Sequence, residues 1–414
     1  MNQMKEIKPI YEVRNVNNLK EMLDSSVDLF GNNPAFKFKR KGEIISKTYI
    51  EFKNDVEALG TALIDLGLKN SHISVMGNNS YKWCTTYMAV VNGVGTIVPM
   101  DKAIPTIEIE NILMQANPKA IICEGKYVET LKSLQEKYGI KYIISMDAEN
   151  DKDDVLSFDK LIKKGNQLLK SGNTEFFDSS INNTEPRIIL FTSGTTSNSK
   201  AVLLSHKNLC SNLMAVASVV KYKPEDTLLS VLPIHHTFEC LVSFLLSLYS
   251  GSCTAFCEGL KHISDNLQEY NISVFATVPA ILESIYSKLK KVKLAKGFED
   301  FSFVKALYPN FRLAIVGAAS IDKTTIVSFN EMGISCQQGY GLTETSPVLS
   351  VETDICKRPG SIGLPLPGVQ IRIDNPNSEG IGEICAKGNN VMIGYYNNEE
   401  ATNEVLQDGW FHTG

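Results

Sequence analysis

Several features of membrane-spanning and secreted proteins are missing from this 414-residue sequence. The longest apolar stretch, residues 240–249, is about half of the roughly 20 residues that a membrane-spanning helix needs. The nine cysteines include no CxxC pair, and their apolar surroundings favour reduced, buried thiols over disulfides or a zinc site. We therefore expect a cytoplasmic protein that does not insert into a bilayer, while peripheral contact with a membrane surface stays open.

An excess of basic residues is also missing, since the formal net charge is -5. The lysine-rich residues 288–296 are the main exception, and a solvated helix face accounts for them. The charge balance argues against a nucleic-acid partner, so an anionic ligand must be captured by a local site. A hydrophobic content of 43% is that of a globular protein, and the length predicts two or three packed units.

Helical spacing and short buried runs alternate through residues 1–346. Thr48 and Glu51 form a capping-box pattern before a helix that carries Phe52, Val56 and Leu59. Short apolar runs predict strands at 73–75, 96–98, 120–123, 142–145, 188–191, 202–204, 228–231, 274–277 and 312–316. The alternation predicts an α/β fold, with layered, mostly parallel sheets flanked by helices. We expect residues 1–346 to form one two-lobed α/β region.

The sequence pattern changes after Pro347, where glycine and proline separate short runs of alternating apolar and polar residues at 370–373 and 382–385. This pattern is typical of a small antiparallel sheet or barrel, so residues 347–414 are predicted to form a small β subdomain. The sequence stops at Gly414 without a tail or a helix cap. We expect such an ending from a domain cut from a longer protein.

The strongest local signal follows the predicted strand at 188–191. Six hydroxyl side chains and one glycine precede a lysine in the segment Thr192, Ser193, Gly194, Thr195, Thr196, Ser197, Asn198, Ser199, Lys200. A polyphosphate needs many donors, a close approach to the backbone and a cation, and this loop offers all three. The alternative is an ordinary Ser/Thr-rich surface loop.

A Walker P-loop does not fit this segment. Counted from Gly194, that motif requires glycine at 199 and Ser or Thr at 201, where this sequence has Ser199 and Ala201. The residues that follow are strand-like, so no helix N-terminus would point at the phosphates. We infer a different kind of phosphate loop.

A second polar segment contains Gln338, Gly339, Tyr340, Gly341, Thr343 and Glu344. Two glycines flank an aromatic residue, so a flat ring can lie against exposed backbone. Glu344 supplies a hard oxygen ligand suited to Mg²⁺ beside phosphates. The alternative is a glycine-rich turn with an N-capping threonine.

Two weaker signals complete the set. Gly317, Ala318 and Ala319 follow the predicted strand at 312–316, and their small side chains leave room for a purine face. His235 and His236 are adjacent, and in a strand they would point to opposite faces, so at most one enters a shared pocket. No cysteine or carboxylate lies at metal-ligand spacing from this pair, which argues against zinc there.

Together, in this order, these four segments resemble the adenylate-forming superfamily of acyl-CoA synthetases, adenylation domains and luciferases. The resemblance runs from about Thr48 to Gly414, and within the superfamily the chain is most similar to long-chain fatty-acid CoA ligases. Residues 233–239, 360–373 and 408–414 carry that closer similarity.

The resemblance implies a role for each segment. Residues 192–200 would hold the β- and γ-phosphates of ATP, and Gly317, Ala318 and Ala319 would line the adenine pocket with Tyr340 stacked on the base. Thr343 would contact the α-phosphate and Glu344 would coordinate Mg²⁺. His236 would lie where the carboxylate meets the nucleotide. The implied reaction activates a fatty acid as acyl-AMP and transfers it to coenzyme A.

The chain departs from the family pattern in two places. Ser197, Ser199 and Ala201 stand where the family usually has Gly, Pro and Gly, which puts ATP affinity or loop closure in question. The family continues with an aspartate for the ribose and a small domain that carries the adenylation lysine, and neither is in this chain. Two alternatives stay open: a ligase for an aromatic or other acid or for a carrier-protein thiol, and a nucleotide-binding module without turnover.

Overall fold

The structure of the chain is a computed structural model that describes residues 6–192 and 200–414. Within these residues the strands are β1 Pro34–Arg40, β2 Glu43–Thr48, β3 Ser71–Met76, β4 Gly95–Met100, β5 Ala120–Cys123, β6 Tyr142–Ser145, β7 Val155–Ser157, β8 Pro186–Phe191, β9 Ala201–Ser205, β10 Thr227–Ser230, β11 Cys253–Phe256, β12 Val274–Thr277, β13 Leu313–Val316, β14 Ser335–Gly341, β15 Val348–Val351, β16 Leu364–Pro365, β17 Gln370–Asp374, β18 Glu383–Lys387, β19 Gly394–Tyr395, β20 Leu406–Gln407 and β21 Trp410–His412.

The α-helices are α1 Leu19–Phe30, α2 Tyr49–Asp65, α3 Tyr81–Ala89, α4 Thr106–Ala116, α5 Val128–Gln135, α6 Phe158–Lys170, α7 His206–Ala217, α8 Thr237–Glu239, α9 Leu246–Ser250, α10 Ile263–Glu269, α11 Pro279–Lys296, α12 Phe303–Leu307, α13 Lys323–Glu331 and α14 Glu399–Val405. Short 3₁₀ segments occur at Gly125–Tyr127, Leu260–His262 and Thr343–Thr345, and π-helical turns at Val90–Val94 and Cys240–Leu245.

Two large sheets form the body of the molecule. An eight-stranded sheet has the order β19-β9-β8-β4-β3-β5-β6-β7, and a nine-stranded sheet has the order β16-β15-β14-β13-β12-β10-β11-β1-β2. The central strands of both run parallel. Antiparallel strands close both edges of the nine-stranded sheet and the β19 edge of the eight-stranded sheet, whereas β7 at its other edge is parallel to β6. Strands such as β5, β12 and β13 are buried at every position because helices cover both faces. The predicted α/β fold with mostly parallel sheets is confirmed.

A third, four-stranded sheet is small and antiparallel, with the order β17-β18-β21-β20. It confirms the antiparallel sheet expected near the C-terminal end. The other strands beyond residue 347 join the large sheets, since β15 and β16 extend the nine-stranded sheet and β19 pairs with β9. The domain division at 346/347 stays a prediction.

Local sequence signals explain several boundaries. Thr48 accepts from the Glu51 amide and Glu51 accepts from the Thr48 amide, so the capping box starts α2 as predicted. The β1–β2 hairpin was not anticipated; Lys41 and Gly42 at its tip both have positive φ, as a tight two-residue turn requires. The polar segment at 147–185 contains β7 and α6, and it also brings Phe176 into the core against Gly60 and Gly93.

Candidate functional site

Parallel pairing aligns the ends of β12, β13 and β14. Thr277 lies opposite Val316, and Val316 lies opposite Gln338. Gly317, which follows β13, is therefore brought beside Gly339, although 21 residues lie between them in the sequence. Thr277 Oγ1 and Gln338 Oε1 are buried without a hydrogen-bond partner among the described residues. Buried polar atoms are usually paired, so these two oxygens mark an unusual unsatisfied polar position at the strand ends.

The backbone around these strand ends is tightly packed in two places. A Cβ added to Gly317 would lie 3.1 Å from the Phe238 ring, and one added to Gly341 would lie 1.8 Å from the Pro347 carbonyl oxygen. By contrast, a Cβ on Gly339 would meet its nearest neighbour at 3.5 Å. Ala318 has φ of +67°, a conformation that alanine seldom adopts, and Ala318 and Ala319 are exposed. Packing therefore requires glycine at 341, while a Cβ at 317 would need a small shift of the Phe238 ring and one at 339 would make ordinary contacts.

The turn that carries Thr343 and Glu344 is held by hydrogen bonds from both sides. The Thr345 hydroxyl accepts from the Leu342 amide and donates to the Pro347 carbonyl. Asn390 Nδ2 donates to the Thr345 carbonyl at 2.9 Å. These bonds hold the inner side of the turn in place, and the side chains of Thr343 and Glu344 remain half-buried at its outer side.

Tyr395 connects two of the predicted segments. Its hydroxyl donates to Glu344 Oε1 at 3.0 Å, and Lys200 Nζ lies 4.9 Å from the centre of its ring. Burial and the neighbouring Glu344 carboxylate raise the pKa of Tyr395, so the phenol remains a donor. Strand β19 places it there by pairing Tyr395 with Val202, two residues after Lys200. The sequence reasoning missed Tyr395 because no local pattern links it to either segment.

A polar cleft of about 620 Å³ opens beside these residues. Its described wall includes Thr192, Lys200, Leu342, Glu344 and Tyr395. Ser193, Gly194, Thr195 and Thr196 lie outside the described residues. Both ends of the hydroxyl-rich loop therefore reach the same cleft as Glu344, an arrangement suited to a phosphate chain beside a carboxylate.

The remaining predicted residues do not line the described wall of this cleft. They are residues 317–319 after β13, Gln338 and Tyr340 on β14, and Thr343 in the turn that leads to Glu344. Tyr340 is half-buried and lies opposite Ser350 of the neighbouring strand β15. The structure thus brings Lys200 and Glu344 to one cleft, and it places the small-residue segment beside the strand that leads into it.

The histidine pair corrects the sequence interpretation. His235 and His236 lie in a turn and not in a strand, and their ring centroids are 4.2 Å apart, so they share one side. Strand β10 ends at Ser230, and the His236 amide donates to the Pro233 carbonyl, which closes the turn. Burial and the adjacent His236 lower the pKa of His235 to about 4, so this ring is neutral at physiological pH.

This histidine turn is anchored by a second residue that the sequence reasoning did not identify. The buried Glu239 accepts from the hydroxyls of Ser230 at 2.6 Å and Ser243 at 3.0 Å. Asn79, from the loop after β3, accepts from the Ile234 amide and donates to Ser230. Burial raises the pKa of Glu239 to about 8. The turn that presents His236 and Phe238 is therefore fixed from both large sheets.

An enclosed apolar cavity of about 10 Å³ lies beneath His235 and Thr237. Its other described lining residues include Trp83, Tyr87 and Leu241, and none of them is acidic. Among the described helices, none is long and apolar enough to pass through a bilayer.

Comparison with known proteins finds similar sequences and similar folds. Residues 23–396 match the family model described as "AMP-binding enzyme". Long chain acyl-CoA synthetase 4 of Arabidopsis thaliana is 28% identical over 453 residues, which cover 94% of this chain and 67% of that protein. Probable 4-coumarate–CoA ligase 2 of Dictyostelium discoideum is 33% identical over 274 residues, 63% of this chain and 48% of that protein. The crystal structure of ATP-bound MatB from Rhodopseudomonas palustris aligns with a TM-score of 0.78 and 25% identity, over 96% of this chain and 76% of that one.

Proposed function

The chain belongs to the AMP-binding enzyme family of adenylate-forming ligases, and we propose that it activates a fatty acid with ATP and transfers the acyl group to coenzyme A. The observation that carries the proposal is the convergence of Lys200, Tyr395 and Glu344 on one cleft. Lys200 supplies a cation and Glu344 a carboxylate at the same place, although they are 144 positions apart in the sequence. A nucleoside triphosphate with a divalent cation needs both groups.

The first step forms an acyl-phosphate bond. A carboxylate oxygen of the acid attacks the α-phosphorus of ATP, the bond to the bridging oxygen breaks, and pyrophosphate leaves. Lys200 and Thr192 are assigned to the β- and γ-phosphates, together with Ser193, Gly194, Thr195 and Thr196, and Thr343 is assigned to the α-phosphate. Because the protein forms no covalent bond in this step, its contribution is positioning and electrostatic stabilisation.

Glu344 is assigned to Mg²⁺, and its surroundings fit that role. One carboxylate oxygen accepts from Tyr395, while the other has no hydrogen-bond partner among the described residues and can face a cation. When bound, Mg²⁺ would neutralise charge on the phosphate oxygens. Tyr395 would orient the carboxylate whether or not the cation is present.

The adenine is assigned to the strand ends of β13 and β14. Gly317, Ala318 and Ala319 would line one side of the base and Tyr340 would stack on it, with Gln338 and the backbone of Gly339 and Gly341 beside it. Thr277 Oγ1 and Gln338 Oε1 support this assignment, because a base with amino groups would pair with such buried oxygens. His236 is assigned to the point where the acid meets the nucleotide.

In the second step the thiol sulfur of coenzyme A attacks the acyl carbon and gives up its proton, and AMP leaves with the electrons of the broken acyl–oxygen bond. The long-chain relative supports a fatty acid as the substrate. The 4-coumarate–CoA ligase relative favours the alternative of an aromatic acid. All nine cysteines are free thiols, which supports the cytoplasmic location that we propose.

Acid-dependent exchange of labelled pyrophosphate into ATP tests the proposal. For a longer form that includes the rest of the relatives' length, we expect exchange with medium- and long-chain fatty acids, weaker exchange with coumarate, and none with amino acids. The 414-residue chain should bind nucleotide but exchange poorly, because it lacks the adenylation lysine that the family resemblance implies. Strongest exchange with coumarate would establish the aromatic alternative. Nucleotide binding without exchange for any acid, by this chain and by a longer form that includes the rest of the relatives' length, would indicate a non-catalytic nucleotide-binding module.

A further inference from the structure

The small antiparallel sheet gathers metal-ligating residues on one face. Cys385 lies directly opposite both Arg372 on β17 and His412 on β21, and Asp374 lies opposite Glu383. Residues directly opposite each other in antiparallel strands point to the same face, as do residues two apart along a strand. The register therefore places all five side chains on one face, although they come from three segments of the sequence.

The donor atoms on this face are close together. Cys385 Sγ lies 3.3 Å from His412 Nδ1, and Glu383 Oε2 lies 3.1 Å from the same nitrogen. One donor atom each from Asp374, Cys385 and His412 lie within 4.8 Å of one another. Tetrahedral zinc sites with ordinary bond lengths separate sulfur and nitrogen ligands by about 3.5 Å, so little movement would be needed.

Two groups compete for one ring nitrogen of His412. Its Nδ1 faces both the Cys385 sulfur and the Glu383 carboxylate, yet a neutral ring has at most one hydrogen there. A cation bound between the sulfur and the nitrogen would satisfy both atoms. Glu383 would keep its second contact, in which Oε1 accepts from the Gly414 amide at 2.9 Å.

We propose that Asp374, Cys385 and His412, with Glu383 as the fourth ligand, form a zinc-binding site on the small sheet. Without metal, the two carboxylates and Arg372 give this face a net charge of about -1. Binding of Zn²⁺ releases the thiol proton of Cys385, and the net charge with the metal and the thiolate is about zero. A thiolate beside imidazole selects zinc over Mg²⁺, which prefers oxygen ligands alone.

Arg372 is the competitor for this site. Its guanidinium donates to Asp374 at 3.4 Å and lies 4.5 Å from the Trp410 ring centre, and its Nε is buried without a partner among the described residues. The contact with Asp374 is long for a charged hydrogen bond, so a metal ion could displace it. The zinc would then tie β21 to β17 and β18 at the rim of the cleft, whose wall includes Glu383 and His412.

The test is direct metal binding to the chelator-stripped 414-residue chain, without ATP or an acid. We expect one zinc per chain in competition with a chromophoric chelator, and a thiolate-to-metal absorption band when cobalt(II) replaces zinc. Cys385→Ser and His412→Gln should each lower the zinc affinity by more than about 100-fold, because loss of even an outer partner of a zinc ligand costs 10–100-fold. Arg372→Gln should raise the affinity several-fold by freeing Asp374.

Matched controls separate this site from others. Cys356→Ser removes a half-buried thiol outside the sheet and Glu344→Gln alters the cleft carboxylate, and both should leave zinc affinity unchanged. Equal zinc affinity in Cys385→Ser, His412→Gln and the unaltered chain would overturn the proposal, as would less than a stoichiometric amount of bound zinc. If the circular-dichroism spectrum shows that Cys385→Ser does not fold, the zinc affinities of His412→Gln and Asp374→Asn, which alter half-buried residues, decide the question. None of these readouts depends on the ligase activity, so either proposal can fail alone.

Discussion

Two glutamates illustrate how differently the same side chain is used in this molecule. Glu239 is fully buried in the histidine turn, where the hydroxyls of Ser230 and Ser243 each donate to one of its carboxyl oxygens. Glu344 is half-buried at the cleft and receives one side-chain hydrogen bond among the described residues, from Tyr395. One carboxyl group is surrounded by donors, and the other has an oxygen to spare.

The difference separates support from binding. A buried carboxyl group whose oxygens are all occupied can only fix the backbone around it, as Glu239 fixes the turn that presents His236. A carboxylate with one oriented and one free oxygen can bind a cation, which is the role assigned to Glu344. We expect substitutions near Glu239 to change mainly stability and substitutions at Glu344 to change mainly activity.

The largest effect is expected from the backbone of the Glu344 turn. In Gly341→Ala the added Cβ would lie 1.8 Å from the Pro347 carbonyl, and we expect a loss of about 3 kcal/mol or more in unfolding free energy. Gly339→Ala is the control, because its Cβ has room and should change stability little. Denaturant titration measures both, and equal stabilities would show that the turn is not rigid. Nucleotide affinity should still fall in Gly339→Ala if adenine lies against that backbone.

Glu344→Gln should lower magnesium-dependent pyrophosphate exchange by about 100-fold, because an amide cannot supply the negative oxygen. Stability should change by less than about 1 kcal/mol, since the neutral amide oxygen can still accept from Tyr395. Glu404→Gln alters another glutamate of the cleft wall and should leave exchange unchanged. Unchanged exchange in Glu344→Gln would remove the metal assignment.

Glu239→Gln should instead lower the unfolding free energy by about 1–3 kcal/mol, because the amide brings two donor hydrogens to a buried place where the protonated carboxyl group has one. Exchange should fall less than in Glu344→Gln. Thermal unfolding of the two variants side by side checks this prediction. A larger loss of activity than of stability in Glu239→Gln would place that residue in the chemistry and not in the support.

The pH dependence of stability sharpens the same prediction. The folded-state pKa of Glu239 is about 8 and its usual value is 4.5, so between these values the folded chain holds a proton that the unfolded chain releases. The contribution is fully present below pH 4.5 and is lost as the pH rises through 8. The stability advantage of the unaltered chain over Glu239→Gln should therefore shrink from pH 5 to pH 8. A difference that stays constant over this range would contradict the raised pKa.

The smallest effect is expected at the lysine that faces Tyr395. Lys200→Ala should weaken ATP and pyrophosphate binding by about 10-fold and AMP binding much less, because a single charged contact to the β- and γ-phosphates is lost. Lys207→Ala, an exposed lysine of α7, should change none of the three affinities. Calorimetric titration with each ligand measures the difference, and equal losses for ATP and AMP would contradict the β/γ assignment.

Local signals in the sequence were reliable where the structure is decided locally. The capping box of Thr48 and Glu51 involves residues three apart, and the strands at 120–123 and 142–145 were predicted at their observed bounds. The prediction that His235 and His236 lie in a strand was wrong, because the apolar residues before Pro233 resemble a continuing strand. The contact of Tyr395 with Glu344 could not be predicted, since it depends on β19 reaching back across the molecule to β9.

The amino-acid sequence by itself determined the alternation of strands and helices, and with it the mostly parallel sheets, because burial on both faces demands continuous apolar runs. It also determined which segments carry hydroxyls, small residues and carboxylates. Only the tertiary structure decided which of them meet. Strand register set Gly317 beside Gly339, Tyr395 between Lys200 and Glu344, and Cys385 beside His412. Pairing between distant strands depends on the packing of the whole chain, and no local pattern encodes it.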